Sequence, residues 1–340
     1  MNSLSRIEAV VCEILQFLKS DESYQVKENY PVRILLKNPT EFTRFMVILK
    51  MMHEAVRENK FVTKRSIYYS NPILFKRQST IDPIVSKICE NFNLPRCALK
   101  ISASPKLIIH GDIVLKAGVE DSSSRTNCMS ITERIFQNET DINLTDIECT
   151  AQFILIIEKD TIFQKLLNEN FYEKFKPCLL VTAKGYPDLL TRKFLAQLTH
   201  IYSRMPIIGI FDADPHGLNV YCTYKYGTMN PTMKDAKGNP VRIPNLQLCG
   251  LLPSEISSSI HIKETQLLSL TKNDKTLLET MQKREYIQHE PLLLKQIRHL
   301  LFTEKKAELE ALNSINTRFL THEYLPDKLL SLGILPNDYQ

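Results

Sequence analysis

Residues Ile207–Gly217 read Ile-Ile-Gly-Ile-Phe-Asp-Ala-Asp-Pro-His-Gly, and this stretch decides the fold. Its apolar half is the length of a strand and too short for a core helix. It runs into Asp212 and Asp214, after which Pro215 and Gly217 turn the chain. An apolar run without polar alternation is what a strand buried on both faces requires. Upstream, Ala151–Ile157 (AQFILII) is a run of the same kind ending in Glu158, and Cys178–Thr182 runs into Ala183-Lys184-Gly185-Tyr186-Pro187. Helical patterns fill the intervals over about residues 159–172 and 188–203. Strands alternating with helices predict an α/β region, a parallel sheet with helices on both faces. Residues 254–335 read as mostly helical, including a charged helix over about 296–313.

In such a sheet, ligands gather outside the carboxyl ends of the strands. Glu158, Asp212 and Asp214 all fall there. Asp212 and Asp214 are two apart, so in an extended segment they point the same way. Hard Mg²⁺ prefers oxygen ligands and takes one or two carboxylates while keeping several waters. Each acid alone can equally be the N-cap of the next helix. Together, a strand-end Glu and a later strand-end Asp-x-Asp resemble the signature of a Toprim domain, shared by topoisomerases, primases and certain nucleases.

Working toward the N-terminus, residues 5–19 (SRIEAVVCEILQFLK) carry Ile7, Val10, Val11, Ile14, Leu15 and Leu18 at helical spacing. Residues 20–38 are polar and then turn into short β-like runs. Pro39-Thr40-Glu41 opens a helix, with Thr40 as N-cap and Phe42, Phe45, Met46, Leu49, Met52 and Val56 on one face. Thr63 precedes a short helix through Tyr69, closed by Asn71-Pro72. A third helix over about 80–92 ends near Asn93. Two strand-like runs, Ala98–Ala103 and Leu107–Leu115, joined around Ser104-Pro105, predict a β-hairpin. Three helices and a hairpin are the order of a winged helix, a helix-turn-helix variant that places one helix in the DNA major groove. Winged helices also bind proteins, and the order alone leaves both open. On its short helix, Arg65 stands four residues before Tyr69 and shares its face. A phenol is a poor nucleophile at its free pKa of ~10. A guanidinium beside it can stabilise the phenolate or hold a phosphate bidentately.

Composition bounds these readings. At ~150 residues per domain, 340 residues suggest about two domains. Lys plus Arg number 43 against 38 Asp plus Glu, a net +5, compatible with a nucleic-acid partner without demanding one. Cys12, Cys89, Cys97, Cys128, Cys149, Cys178, Cys222 and Cys249 are scattered without Cys-x-x-Cys pairs, against zinc ribbons and thioredoxin-like sites. With no signal peptide, reduced thiols in the cytosol or nucleus are expected. No apolar run reaches the ~18 residues of a membrane span. Of nine glycines none precedes Gly111, and Gly185, Gly209 and Gly217 fall in or beside the strand-end loops. That asymmetry marks two domains with different backbone demands.

The segment KRSIYYSNPILFKRQ (64–78) resembles the catalytic-tyrosine segment of the meiotic DNA double-strand-break transesterase family (sporulation protein eleven), eukaryotic relatives of the topoisomerase VI A-type chain. Similarity continues through LPRCALKISASPK, FILIIEKDTIF, VTAKGYPD and IIGIFDADPHG. It resumes in LCGLLPSEI, LSLTKND, KAELEAL and FLTHEYLPDKL, in the family's order over about residues 40–330. Two departures stand out: Ser66 occupies a position where an acid is common, and Pro105–Gly111 lacks the usual Lys-Gly-Leu-Val pattern. The resemblance implies an N-terminal helix and linker over 1–38, available for partner docking, and a winged-helix (CAP-like) domain over 39–120 bearing the tyrosine. A linker over 121–147 and a Toprim domain with a C-terminal helical extension over 148–340 would follow. It further implies Tyr69 as nucleophile and Arg65 as the active-site arginine. Glu158, Asp212 and Asp214 would hold Mg²⁺, and Lys184, Arg96 and Lys100 would contact DNA. The implied partners are double-stranded DNA, a second copy of the chain, other meiotic break-forming proteins and a topoisomerase VI B-like subunit, in the nucleus on meiotic chromosomes. A topoisomerase VI A-type chain that reseals its breaks, an inactive DNA-binding scaffold, and a Toprim nuclease or primase are the competing expectations. The lack of a GxxxxGK[ST] loop fits transesterification, which needs no ATP for cleavage.

Overall fold

The computed structural model describes residues 3–19, 38–94, 96–102, 106–115, 147–228, 240–258, 260 and 262–336. The β-like runs expected before Asn38 and residues 121–146 of the linker expected over 121–147 lie outside the described residues, and Ile147 opens a short strand. The chain divides into two compact units, with a break between residues 104 and 105.

The first unit is helical. Helix α1 is Ser3–Lys19, α2 is Pro39–Glu58, α3 is Lys64–Ser70 and α4 is Ile81–Phe92. Its core takes Ile7 and Ile14 from α1, Phe45, Ile48, Leu49 and Met52 from α2, Ile67 from α3, and Ile84, Val85 and Ile88 from α4. Local chemistry fixes the ends. Helix α2 is capped by Asn38, whose Oδ1 accepts the Glu41 N–H at 3.1 Å, and not by Thr40. The helix already begins at Pro39, which has no N–H to satisfy and suits the first helical position. Thr63 caps α3 as expected, accepting the Ser66 N–H at 3.0 Å. Asn93, in the left-handed region with φ 46°, ends α4.

The expected wing hairpin is not formed among the described residues. Ile101–Ser102 instead runs parallel to Val62–Thr63 within the first unit. The second run breaks into Ile108–Gly111 and Ile113–Leu115. The first piece joins the sheet of the second unit, and the second pairs with Ile147–Cys149. The reason is burial: Leu107, Ile109 and Ile113 enter the core of that unit, which an isolated two-stranded ribbon cannot offer.

The second unit is built on a five-stranded sheet of β1 (Ile108–Gly111), β2 (Ile154–Ile157), β3 (Leu179–Thr182), β4 (Ile207–Phe211) and β5 (Leu246–Gly250), in the order β1-β3-β2-β4-β5. Only β1 is antiparallel to its neighbour. Alternation along each strand divides the core into two layers. Ile154, Ile156, Leu179, Val181 and Ile207 face one layer, with Phe194, Leu195 and Leu198 of α6 (Leu189–Ile201). Leu218 and Tyr221 of α7 (Pro215–Tyr226) join that layer, as do residues of α8 (Lys272–Gln282) and α9 (Pro291–Thr303). Leu155, Ile157, Leu180, Ile208 and Ile210 face the other, with Ile162, Phe163 and Leu166 of α5 (Asp160–Asn168) and Leu309, Leu320 and Leu325 near the C-terminus. The unbroken apolar strand runs thus have the cause inferred from them: a parallel sheet covered on both faces.

Two expected helices are interrupted. The helix of 159–172 stops at Asn168, and a short turn Phe171–Phe175 restarts after Asn170 adopts φ 59°. The charged helix of 296–313 ends at Thr303, where Glu304 turns left-handed at φ 54°. Lys305–Lys306 then pairs with Leu268–Ser269, Ala307 bridges to Ala213, and Leu309–Ser314 is a 3-10 turn. Backbone pairing to the sheet's ligand-side edge overrides helical propensity here, and it brings this segment to the strand-end acids. Among the described residues no helix is long and apolar enough to cross a membrane.

Candidate active site

Glu158 follows β2 and Asp212 follows its neighbour β4, so parallel register alone sets the two carboxylates side by side. Both are buried. The Asp212 N–H donates to Glu158 Oε2 at 3.0 Å. Asp212 Oδ1 accepts the Leu309 N–H at 2.8 Å, and Oδ2 pairs with Lys159 Nζ at 2.9 Å. The same ammonium lies 3.1 Å from Glu308 Oε2 and 3.1 Å from Glu310 Oε2. Asp214 starts α7, and its Oδ1 accepts the Gly217 N–H at 2.6 Å. The N-cap reading of this acid is therefore realised, which leaves its second oxygen to serve elsewhere.

Crowding acids into a buried strand end has an electrostatic consequence. Burial, reinforced by the neighbouring Asp212 charge, raises the Glu158 carboxyl to about 8. Burial likewise raises Asp212 to about 6, against the Leu309 N–H and Lys159, which favour its anion. Burial by itself would lower Lys159, but its hydrogen bond to Asp212 and the carboxylates beyond it outweigh that and push it up. The site thus calls for positive charge, and the one ammonium of Lys159 is shared among Asp212, Glu308 and Glu310.

That charge deficit is the test of the implied Mg²⁺. The donors are hard carboxylate oxygens at adjoining strand ends, and burial disfavours the charged forms of Glu158 and Asp212, so the residues fit a divalent cation. Among the described residues no three acidic, histidine or cysteine side chains converge on one point as they stand.

The loop after β3 leans onto the same corner. Gly185 N–H donates to the Glu158 carbonyl at 2.7 Å, and Lys184, at φ 54°, points an ammonium 3.5 Å from Asp160. Lys159, Glu308, Glu310 and the Leu309 N–H were not among the residues singled out from the sequence. Lys159 has a signal there, a cation directly after a strand-end acid. The others reach the site only because the charged helix breaks at Glu304.

In the first unit, α3 presents Arg65 and Tyr69 to solvent, Tyr69 being 70% exposed. Tyr68 packs against the core, and its ring meets that of Tyr69 edge-on at 5.2 Å between centroids. The pair is therefore divided into a packing tyrosine and a presented one. Ser66, where an acid is common, closes the helix start by donating from Oγ to the Thr63 carbonyl at 2.7 Å. Arg96 is mostly buried, donating to Ser86 Oγ at 3.1 Å and lying 3.6 Å from Asp82. Lys100 lies over the Phe61 ring at 4.5 Å.

A doubly covered parallel sheet with acids at adjoining strand ends, in a chain whose separate helical unit presents a tyrosine, defines a topoisomerase-like Toprim protein. Residues 153–329 match the Toprim-domain model of the family that joins Spo11 to the A-type chain of topoisomerase 6, and residues 40–101 match the model "Type IIB DNA topoisomerase". The chain is 31% identical to human meiotic recombination protein SPO11 over 93% of its own length and 76% of the relative's. It is 33% identical to meiotic recombination protein rec12 of Schizosaccharomyces pombe, over 86% of this chain and 79% of that one. The A-type chain of DNA topoisomerase 6 from Arabidopsis thaliana is 28% identical over 83% of this chain and 64% of its own. The chain belongs to the Spo11/topoisomerase VI A family.

Proposed function

We propose that this protein initiates meiotic recombination by breaking double-stranded DNA through topoisomerase-like transesterification. The observation that carries the reading is Tyr69: a largely exposed tyrosine, one helical turn from an exposed Arg65, in a chain whose second unit gathers Glu158, Asp212 and Asp214 at adjoining strand ends. The Tyr69 oxygen attacks a backbone phosphorus in line, losing its proton to water. The bond to the 3′ oxygen breaks, leaving a 5′-phosphotyrosyl link and, after protonation, a free 3′-OH. Arg65 orients the phosphate and offsets charge on the phenolate. Glu158, Asp212 and Asp214 would hold Mg²⁺, which when bound stabilises negative charge on phosphate oxygens. Lys159 keeps Asp212 ionised and fixed, and the N–H of Leu309 orients its other oxygen.

One tyrosine per chain cuts one strand, so a double-strand break takes a second copy, each tyrosine working with the acids of the other copy. The first unit serves as the winged-helix-type DNA module and the second as the Mg²⁺ site. Lys184 and Lys100 stand near enough to the surface to meet phosphates, while Arg96 serves first as an internal strut. Other break-forming proteins and a topoisomerase VI B-like subunit would act with it on meiotic chromosomes in the nucleus. The likeness to the A-type chain of a topoisomerase 6 favours a second reading, an enzyme that reseals its breaks.

The test is covalent capture of protein–5′-DNA complexes. Wild type and Tyr68→Phe are expected to form them and Tyr69→Phe to form none; complexes from Tyr69→Phe would refute the assignment. Glu158→Ala and Asp212→Ala are expected to weaken Mg²⁺-dependent DNA binding. Relaxation of supercoiled DNA without lasting covalent ends would favour the resealing reading. DNA binding is expected to fall steeply with salt, as phosphate contacts require.

A further inference from the structure

Between Lys60 and Asp82 the chain holds Lys64, Arg65, Lys76 and Arg77 and no acid. At the tip of this basic stretch, four residues beyond Tyr69, Ile73 is 90% exposed, more than any other large apolar side chain among the described residues. Its surroundings are polar: Arg65, Ser70, Asn71, Lys76 and Arg77 are all exposed. The turn that carries it is fixed from several sides. Asn71 Oδ1 accepts the Leu74 N–H at 3.0 Å, Arg44 Nε donates to the Leu74 carbonyl at 2.8 Å, and Thr80 Oγ1 donates to the Phe75 carbonyl at 2.8 Å. Phe75 itself is fully buried. Lys76 holds φ 58°, a positive φ rare outside glycine, and its N–H closes the turn on the Pro72 carbonyl at 2.8 Å. Ile73 is thus a rigidly mounted apolar tip and not the end of a loose loop.

A single apolar side chain among cations is not the composition of a protein-binding patch, whose core is contiguous and depleted in charge. It matches a nucleic-acid surface. Cations take the phosphates, and an apolar side chain finds complementary surface only on sugars, base edges and base steps. We propose that Ile73 is a specificity-determining wedge, pressed by Arg65, Lys76 and Arg77 against the sugars and base edges beside the phosphate that Tyr69 attacks. It rests on the transesterase reading and adds to it a structural source of cleavage-site preference. Base steps that open or deform easily accommodate such a wedge at least cost, so they are cut preferentially.

The experiment sequences the 5′ ends covalently held by full-length wild type, Ile73→Ser and Phe302→Ser on the same duplex DNA. Phe302 is similarly exposed, at 88%, but lies in α9 of the other unit. Ile73→Ser is expected to melt like wild type, to lose roughly tenfold in duplex affinity, and to flatten the base composition flanking the break. Phe302→Ser is expected to keep the wild-type composition. An unchanged composition in Ile73→Ser, while Tyr69-dependent complexes still form, overturns the wedge and leaves the transesterase reading standing. A change confined to self-association or to capture of a protein partner also overturns it, because the face then belongs to a protein. Complexes that persist in Tyr69→Phe would sink the underlying reading, and the wedge with it.

Discussion

Gly217→Ala tests whether the geometry of the acids depends on close approach of α7 to the end of β4. A Cβ at position 217 would lie 2.4 Å from the Asp212 carbonyl oxygen, 2.9 Å from its nitrogen and 3.1 Å from its carbonyl carbon. Ordinary contact begins near 3.4 Å, so helix and strand end must separate by about 1 Å. Neither moves freely. Asp212 is tied to Glu158, Leu309 and Lys159, and the first turn of α7 is tied to Asp214 and seated by the buried Leu218, Tyr221 and Cys222. Overpacking against the Asp212 backbone costs ~3 kcal/mol, and the gain in helix propensity from Gly to Ala returns ~1 kcal/mol. The net loss of ~2 kcal/mol corresponds to a fall in Tm of roughly 4–8 °C for a unit of this size. Because the separation shifts Asp212 against Asp214, the larger effect falls on chemistry. Calorimetry and covalent-complex capture at saturating Mg²⁺ measure the two, and the yield of complexes is expected to fall by more than tenfold. A variant that melts within ~1 °C of wild type and cleaves normally would refute the tight contact.

The remaining expectations concern charge and caps. Glu158 is raised from 4.5 to about 8, so the folded chain keeps a proton that the unfolded chain releases. Its favourable contribution is complete below about 4.5 and is lost as pH rises through about 8, a decline of up to ~5 kcal/mol. Denaturant unfolding without metal should show that decline, Glu158→Gln should flatten it, and parallel curves for the two proteins would contradict the burial argument. Asp274 both caps α8, accepting the Thr271 N–H at 2.9 Å, and pairs with Lys306 Nζ at 2.7 Å. Burial works against its anion, but Lys306 and Thr271 prevail and hold its carboxyl low, so the stability it provides is present above 3.8 and lost as pH falls through the lower folded value. Asp274→Ala is expected to cost ~3 kcal/mol at neutral pH, with Lys306 left half-buried and unpaired; a Tm within 1–2 °C of wild type would count against it. Thr63→Val removes the cap of α3 and should cost ~1 kcal/mol. Amide exchange over residues 64–67 is expected to quicken and the covalent yield to drop, with Tyr69 untouched; unchanged exchange would show the cap to be idle.

The strands and the strand-end positions of the three acids were legible because their physics is local. A parallel strand covered on both faces leaves an unbroken apolar run, and the residue that ends it stands where ligands bind. Thr63 before α3 is likewise local, accepting an N–H three residues on. What failed to show were features decided by distant partners. Leu107–Leu115 has the pattern of a hairpin strand. Which neighbour it pairs with depends on Leu179–Thr182, far along the chain, and on a core that only the assembled sheet provides. The break at Glu304 is the more instructive case. Helical periodicity continues through KAELEAL, yet backbone pairing of Lys305–Lys306 with Leu268–Ser269, and of Ala307 with Ala213, outweighs it. That bend delivers the Leu309 N–H to Asp212 and Glu308 and Glu310 to Lys159, so the geometry of a strand-end carboxylate is finished by residues nearly a hundred positions later. A motif can name the acids, but the charge balance that holds Asp212 in place is a property of the tertiary fold. Mutational effects at Leu309–Ser314 should accordingly track those at Asp212 more closely than those at its sequence neighbours in α9.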